Sequence, residues 1–132
     1  MSIHKRIVVI LLGLCVLAAI YYCIMFSNTN TLFAEAKAIF EGKKAVTDDN
    51  PLYRYRFDPE SYPGNATKEI DVSISRVWVW HNFKNGYMKV MYSVRYLDEN
   101  GEIVSCSIGV PSKWYIEKND GEWKVAKIEE SP

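Results

Sequence analysis

Histidine is scarce in this sequence. There are 2 in 132 residues, and His4 precedes a long apolar run, so His81 stands alone in any globular part. A tetrahedral metal site needs several N or S ligands, and one His and one Cys on strand positions of opposite parity do not supply them. There is no Gly-rich phosphate loop and no Ser-centred nucleophile elbow. No cofactor is implied. Dense clusters of Lys and Arg are also missing, with 16 basic residues balanced by 16 acidic ones, which excludes nucleic acid as a natural partner. Of 3 cysteines, Cys15 and Cys23 fall in the apolar run. Cys106 therefore has no partner for an internal disulfide, and a small buried hydrophobe is expected there. A general base needs a pocket and an orienting partner; no carboxylate can be placed beside His81, so a surface histidine at a strand end is expected.

What the sequence does have is an uncharged run from Ile7 to Phe26, IVVILLGLCVLAAIYYCIMF. At about 1.5 Å per residue it matches a hydrocarbon core of about 30 Å. His4, Lys5 and Arg6 precede it and the next charge is Glu35, so the positive-inside bias puts residues 1–6 in the cytoplasm and the remainder outside. Tyr21, Tyr22 and Phe26 suit the headgroup level. The expectation is a single-pass cell-membrane protein anchored in lipid through residues 7–26, with its C-terminal domain extracytoplasmic. A cleaved signal peptide is the rival, since Ala34-Glu35-Ala36 has a small-x-small pattern, but that triplet lies eight residues past Phe26 and inside a predicted helix.

Residues 27–31 (SNTNT) form a short polar linker, spanning at most about 17 Å if extended, before one domain over 32–132. Leu32, Phe33, Ala36, Ile39 and Phe40 make one apolar helical stripe, ended by Gly42 or the following lysines. Residues 45–68, with Pro51, Pro59, Pro63 and Gly64, read as irregular chain with at most an extended piece around Tyr53 to Phe57. The rest alternates as strands. Ile70, Val72, Ile74, Trp78 and Trp80 share one parity, as do Val90, Tyr92, Val94 and Tyr96, then Val104, Cys106, Ile108 and Val110. Asn85-Gly86, Asn100-Gly101 and Asp120-Gly121 mark hairpin turns, the last joining Trp114 and Ile116 to Trp123 and Val125.

A two-residue loop at 100 and 101 pairs Tyr96 with Ser105 and Val94 with Ser107. A three-residue loop with Gly101 left-handed pairs Tyr96 with Val104, Val94 with Cys106 and Tyr92 with Ile108. The second keeps one face apolar and is expected. The same choice at Gly86 sets Trp80 beside Val90 and Trp78 beside Tyr92. The fold class is therefore α+β: a transmembrane helix, then one helix packed on a curved antiparallel sheet of about four to five strands.

The closing run from Trp114 through Tyr115, Ile116 and Asn119-Asp120-Gly121 to Trp123 and Val125 resembles the terminal hairpin of bacterial cystatin-like and NTF2-like domains. The resemblance implies a curved antiparallel sheet wrapped around an N-terminal helix. Members of that broad group include isomerases, dehydratases, ligand-binding modules and membrane-tethered subunits of envelope machines. Its enzymes carry a His/Asp or paired-carboxylate dyad inside the cone of the sheet. No such pair is visible here.

Arg76 shares parity with Ile74 and Trp78, and an unpaired guanidinium on an apolar face is costly. It should find a carboxylate such as Asp58 or Glu60, bind an anion, or be turned out by a bulge. Tyr53, Tyr55 and Arg56 form a possible recognition patch, because Tyr and Arg are favoured in binding hot spots. The leading expectation is a non-enzymatic, membrane-tethered interaction module, an accessory subunit or an inhibitor or immunity-type protein, with a protein partner in or at the membrane. The alternative is a ligand-binding or enzymatic domain with a pocket around Arg76, Trp78 and Trp80.

Overall fold

The computed structural model describes residues 2–130, so the extreme ends of the 1–6 and 32–132 segments lie outside it. Helix α1 runs over Ile3–Ser27 and α2 over Asn30–Phe40, followed by strands β1 (Glu69–His81), β2 (Asn85–Leu97), β3 (Ile103–Asn119) and β4 (Glu122–Glu129). The strands form one antiparallel meander in the order β1-β2-β3-β4. The expected α+β class holds. Most of α1 projects free of the domain, apolar and exposed, and it is long and apolar enough to cross a membrane.

The polar linker expected over 27–31 is shorter than supposed. Ser27 belongs to α1, and only Asn28 and Thr29 separate the helices. Thr29 Oγ1 donates to the Phe26 carbonyl at 2.8 Å, Asn28 N–H to Ile24 O at 3.0 Å, and Phe33 N–H to Thr29 O at 3.0 Å. One residue thus closes the first helix and opens the second. Gly42, at φ +73°, ends α2 as expected, with Lys43 N–H returning to Ala38 O. Leu32, Ala36, Ile39 and Phe40 are buried against the sheet.

Between α2 and β1 the expected extended piece is instead a 3-10 turn, Pro51–Tyr55. Asn50 starts it by accepting the Leu52 N–H at 3.0 Å, with Pro51 preset for the first position. This turn drops Leu52 and Tyr55 into the core.

The loop after β2 is the three-residue one expected, with Gly101 at φ +74° and Asp98 N–H bonded to Glu102 O. The register nevertheless departs one pair later. Leu97 faces Ile103, but Tyr96 faces Ser105, Arg95 faces Cys106 and Val94 faces Ser107, because Val104 is bulged out; a second irregularity lets Tyr92 face Val110. Cys106 and Ile108 are consequently exposed, so Cys106 is not the buried hydrophobe expected. Two extra β3 residues restore the register where the core needs it: Val110, Ser112, Trp114 and Ile116 come onto the inner face.

The first hairpin is also displaced from Asn85-Gly86. Asn82 Oδ1 accepts the N–H groups of Lys84 (3.0 Å) and Asn85 (2.8 Å), nucleating the turn at Asn82–Lys84, with Phe83 at φ +67°. Gly86 then lies in the ladder opposite His81, where a Cβ would stand 2.1 Å from the Trp80 carbonyl oxygen. Trp80 faces Tyr87 and Trp78 faces Lys89; a bulge at Val77 separates them from Arg76, which faces Val90. Trp78 and Trp80 are thereby turned to the outer face, 43% and 47% exposed, while Val79 and His81 turn inward. The last hairpin follows expectation, with Asp120 and Gly121 both at positive φ and Trp123 and Val125 buried.

The register yields a direct test. An Arg95→Cys variant, placed opposite Cys106, should cross-link to it under mild oxidation, whereas Val94→Cys should not. The reverse pattern would restore the register read from alternation alone.

Candidate functional site

The most constrained polar chemistry lies where α1 meets β1. As the first strand of the meander, β1 has a free edge, and exposed edge N–H groups invite foreign strands. Here α1 covers that edge. Val79 N–H approaches the Tyr22 hydroxyl at 3.4 Å, and His81 N–H points at the Met25 sulfur at 3.2 Å. Met25 is buried as a result. The last carbonyls of α1 also receive donors from β1 side chains. Arg76 Nη1 donates to Phe26 O at 3.1 Å and to Thr29 Oγ1 at 3.0 Å, and its guanidinium sits over the Phe26 and Phe33 rings at 4.1 and 4.6 Å.

Arg76 therefore finds a structural role, but with a helix C-terminus and two aromatic faces rather than with Asp58 or Glu60. A cation at that end of a helix is favoured by the macrodipole. Asp58 instead accepts the Glu60 N–H within its own loop. Burial lowers the Arg76 pKa from its ordinary value, and the Tyr22 side chain works the other way.

His81 is the clearest correction. It is 1% exposed, not a surface residue. Its Nδ1 accepts the Phe83 N–H at 3.0 Å, which assigns the proton to Nε2; that nitrogen then donates to Met25 O at 2.7 Å. The ring packs on Trp123 (4.5 Å) and edge-on to Phe83 (4.8 Å). Both nitrogens are spoken for by backbone, so no proton is left to exchange with a substrate. Its position at a turn beside Asn82 hid this, since the bulge at Val77 reverses the parity of everything after it.

A second polar cluster was not visible in the sequence. Tyr55, brought in by the 3-10 turn, and Tyr92 both donate to the Glu130 carboxylate. Tyr55 Oη also lies 3.0 Å from Ser112 Oγ, and the buried Trp114 indole N–H donates to Ser112 Oγ (2.9 Å) and Tyr55 Oη (3.2 Å). Burial first, then the Glu130 contact, pushes the Tyr55 phenol up to about 12 and raises Tyr92 as well. For Glu130 burial pushes upward, but hydrogen bonds from Tyr55, Tyr92 and Ser112 outweigh it and hold the carboxyl below its ordinary range. Two protonated phenols facing one ionised carboxylate make a lock for the end of β4. They do not make an acid and a base at neutral pH.

The expected binding residues do not converge. Tyr55 is core, stacked on Phe40 at 4.4 Å. Tyr53 and Arg56 stay at the surface as a stacked pair, with the guanidinium 3.7 Å above the ring. Arg76 and Tyr92 belong to the inner face, Trp78 and Trp80 to the outer one, so no single pocket unites Arg76 with the tryptophans. A cleft of about 830 Å3 lies between α2, residues 44–51 and β4, lined by Glu35, Lys44, Asp49, Lys118, Glu122 and Trp123 among others. Its mixed charges favour no one ligand. Among the described residues no group of three His, Cys, Asp or Glu side chains gathers as a metal site.

No protein-family model, curated protein or solved structure matches the chain.

Burial lowers the His81 pKa from 6.5, opposed by the bond to the Met25 carbonyl and aided by the Lys118 charge. The unfolded chain then takes up the proton first as pH falls. The neutral imidazole's contribution is complete above the unfolded value near 6.5 and is lost as pH drops through the folded one. Denaturation midpoints should fall as pH drops below about 6.5, and the fall should flatten in His81→Gln. A histidine NMR titration placing the His81 pKa above 6.5 would refute the assignment.

Proposed function

We propose that the chain is a non-enzymatic, single-pass membrane protein whose small domain is held rigidly at the outer face of the bilayer, as an accessory subunit or an inhibitor or immunity-type module for a partner in or beside the membrane. The observation that carries this reading is the junction of α1 with β1. Cleaving α1 away would strip Met25 and Phe26 from the domain and leave the His81 Nε2–H and the Arg76 guanidinium without their carbonyl acceptors. The domain would lose those hydrogen bonds and the apolar cover of Met25 and Phe26 together. A disposable signal peptide has no reason to be so built in. Ala34-Glu35-Ala36, the candidate cleavage triplet considered above, lies within α2, with Ala36 fully buried.

The non-enzymatic part of the proposal draws support from the saturated hydrogen bonding of His81 and Glu130. The interaction part draws support from surfaces: the Tyr53–Arg56 stack and the mixed-charge cleft beside β4. A cystatin-like or NTF2-like relationship remains part of the proposal, supported by a single packing helix followed by a four-strand meander.

Native cysteines test the topology. Cys106 is exposed on the outer sheet face, and Cys15 and Cys23 lie in α1. In intact cells a membrane-impermeant maleimide should label the full-length chain at Cys106 alone. Labelling of Cys106 only after permeabilisation, or recovery of a shortened chain free of the membrane, would contradict the proposal. For the partner, photo-crosslinkers at Tyr53 and Arg56 should give one discrete protein adduct in native membranes, and a complete lack of adducts would count against a partner at that patch.

A further inference from the structure

The helix-to-sheet junction also fixes how deep the sheet sits. The Trp78 ring lies 4.9 Å from Tyr22 and the Phe83 ring 6.0 Å from Tyr21, centroid to centroid. At about 1.5 Å per residue, Tyr22 and Tyr21 are about 6 and 7.5 Å short of Phe26 along the helix. Trp80 lies on the same outer face as Trp78, two residues nearer the turn, and its ring is 6.3 Å from Tyr87. If α1 spans the bilayer, the end of the β1–β2 hairpin cannot hang in water above it. We propose that this hairpin end is seated in the bilayer interface, with Trp78, Trp80 and Phe83 at the boundary between acyl chains and headgroups.

The chemistry of the face fits that occupant. Trp78 and Trp80 are large, half-exposed aromatics with an indole N–H each, the residue type that prefers the membrane interface because one end is apolar and the other wet. Val77, 60% exposed, extends the apolar strip away from the turn. Lys84 follows Phe83 and is exposed, so its stem can lie along the acyl boundary with the ammonium at phosphate level. The strip is continuous with Tyr21 and Tyr22 of α1, so helix and strand present one aromatic band. The bulge at Val77 turns this strip outward, and Trp78 and Trp80 stay about half exposed with only Tyr22 and Tyr87 beside them.

This inference rests on the anchor reading, and the test separates the two. The full-length chain is reconstituted into phosphatidylcholine nanodiscs carrying bromine on the acyl chains, either near the headgroup or near the terminal methyl. Tryptophan emission should be quenched, more strongly by the shallow bromines, and the quenched component should be lost in W78F/W80F. Trp114 and Trp123 are buried within the domain and supply the unquenched remainder. A chain that stays in the bilayer on alkaline extraction but shows no quenching, or equal quenching in W78F/W80F, overturns the seating and leaves the anchor intact. A chain extracted by alkali overturns the anchor itself. A photo-crosslinker at Trp80 that captures a second copy or another protein instead of lipid also overturns the seating.

Discussion

The end of α1 and the edge of β1 each leave backbone groups that the element cannot satisfy by itself, and the structure turns on their meeting. A helix C-terminus exposes carbonyls; an edge strand exposes N–H groups. In this chain the Met25 and Phe26 carbonyls are taken by His81 and Arg76, and the Val79 and His81 N–H groups by Tyr22 and Met25. Trp123 reaches across from β4 to Asn28 at 2.6 Å and adds a third tie. The long apolar helix is thus not a tail attached to a domain. Its last two turns are part of the domain.

Much else follows from that junction. For His81 to face inward, β1 must reverse parity between Arg76 and Trp78, and the bulge at Val77 does this. The reversal puts Val79 in the core and sends Trp78 and Trp80 outward. Arg76, before the bulge, keeps the inner parity and reaches the helix terminus. A single extra residue therefore assigns two faces at once: a closed inner one that grips the helix, and an apolar outer one that the proposed bilayer would cover.

Which features were legible in the sequence follows from how local their causes are. The apolar run, the α2 stripe of Leu32, Ala36, Ile39 and Phe40, and the Asp120-Gly121 hairpin depend on nearest neighbours and were readable. So was the left-handed Gly101 loop. Bulges are different, because alternation carries no sign of one inserted residue until a partner strand shows where pairing resumes. Val77 and Val104 displaced the register beyond them, and with it the positions of Trp78, Trp80, His81 and Cys106. Arg76 gave the one usable hint: a guanidinium on an apolar face demanded a partner, and the demand was right although the partner was a helix carbonyl. The Tyr55, Tyr92, Ser112, Trp114 and Glu130 cluster had no such hint, since its members come from a 3-10 turn, two strands and the end of a third.

The central claim is that the last turns of α1 belong to the folded domain. It is tested most directly by chemical denaturation of two shortened chains, one beginning at Ile20 and one at Asn28. The first keeps Tyr22, Met25 and Phe26, and should retain the stability of the domain. The second should lose about 2–4 kcal/mol, from the burial of Met25 and the partial burial of Phe26, and its His81 should titrate closer to the ordinary 6.5. Equal stability of the two chains would mean that the helix is only a tether and would contradict the account.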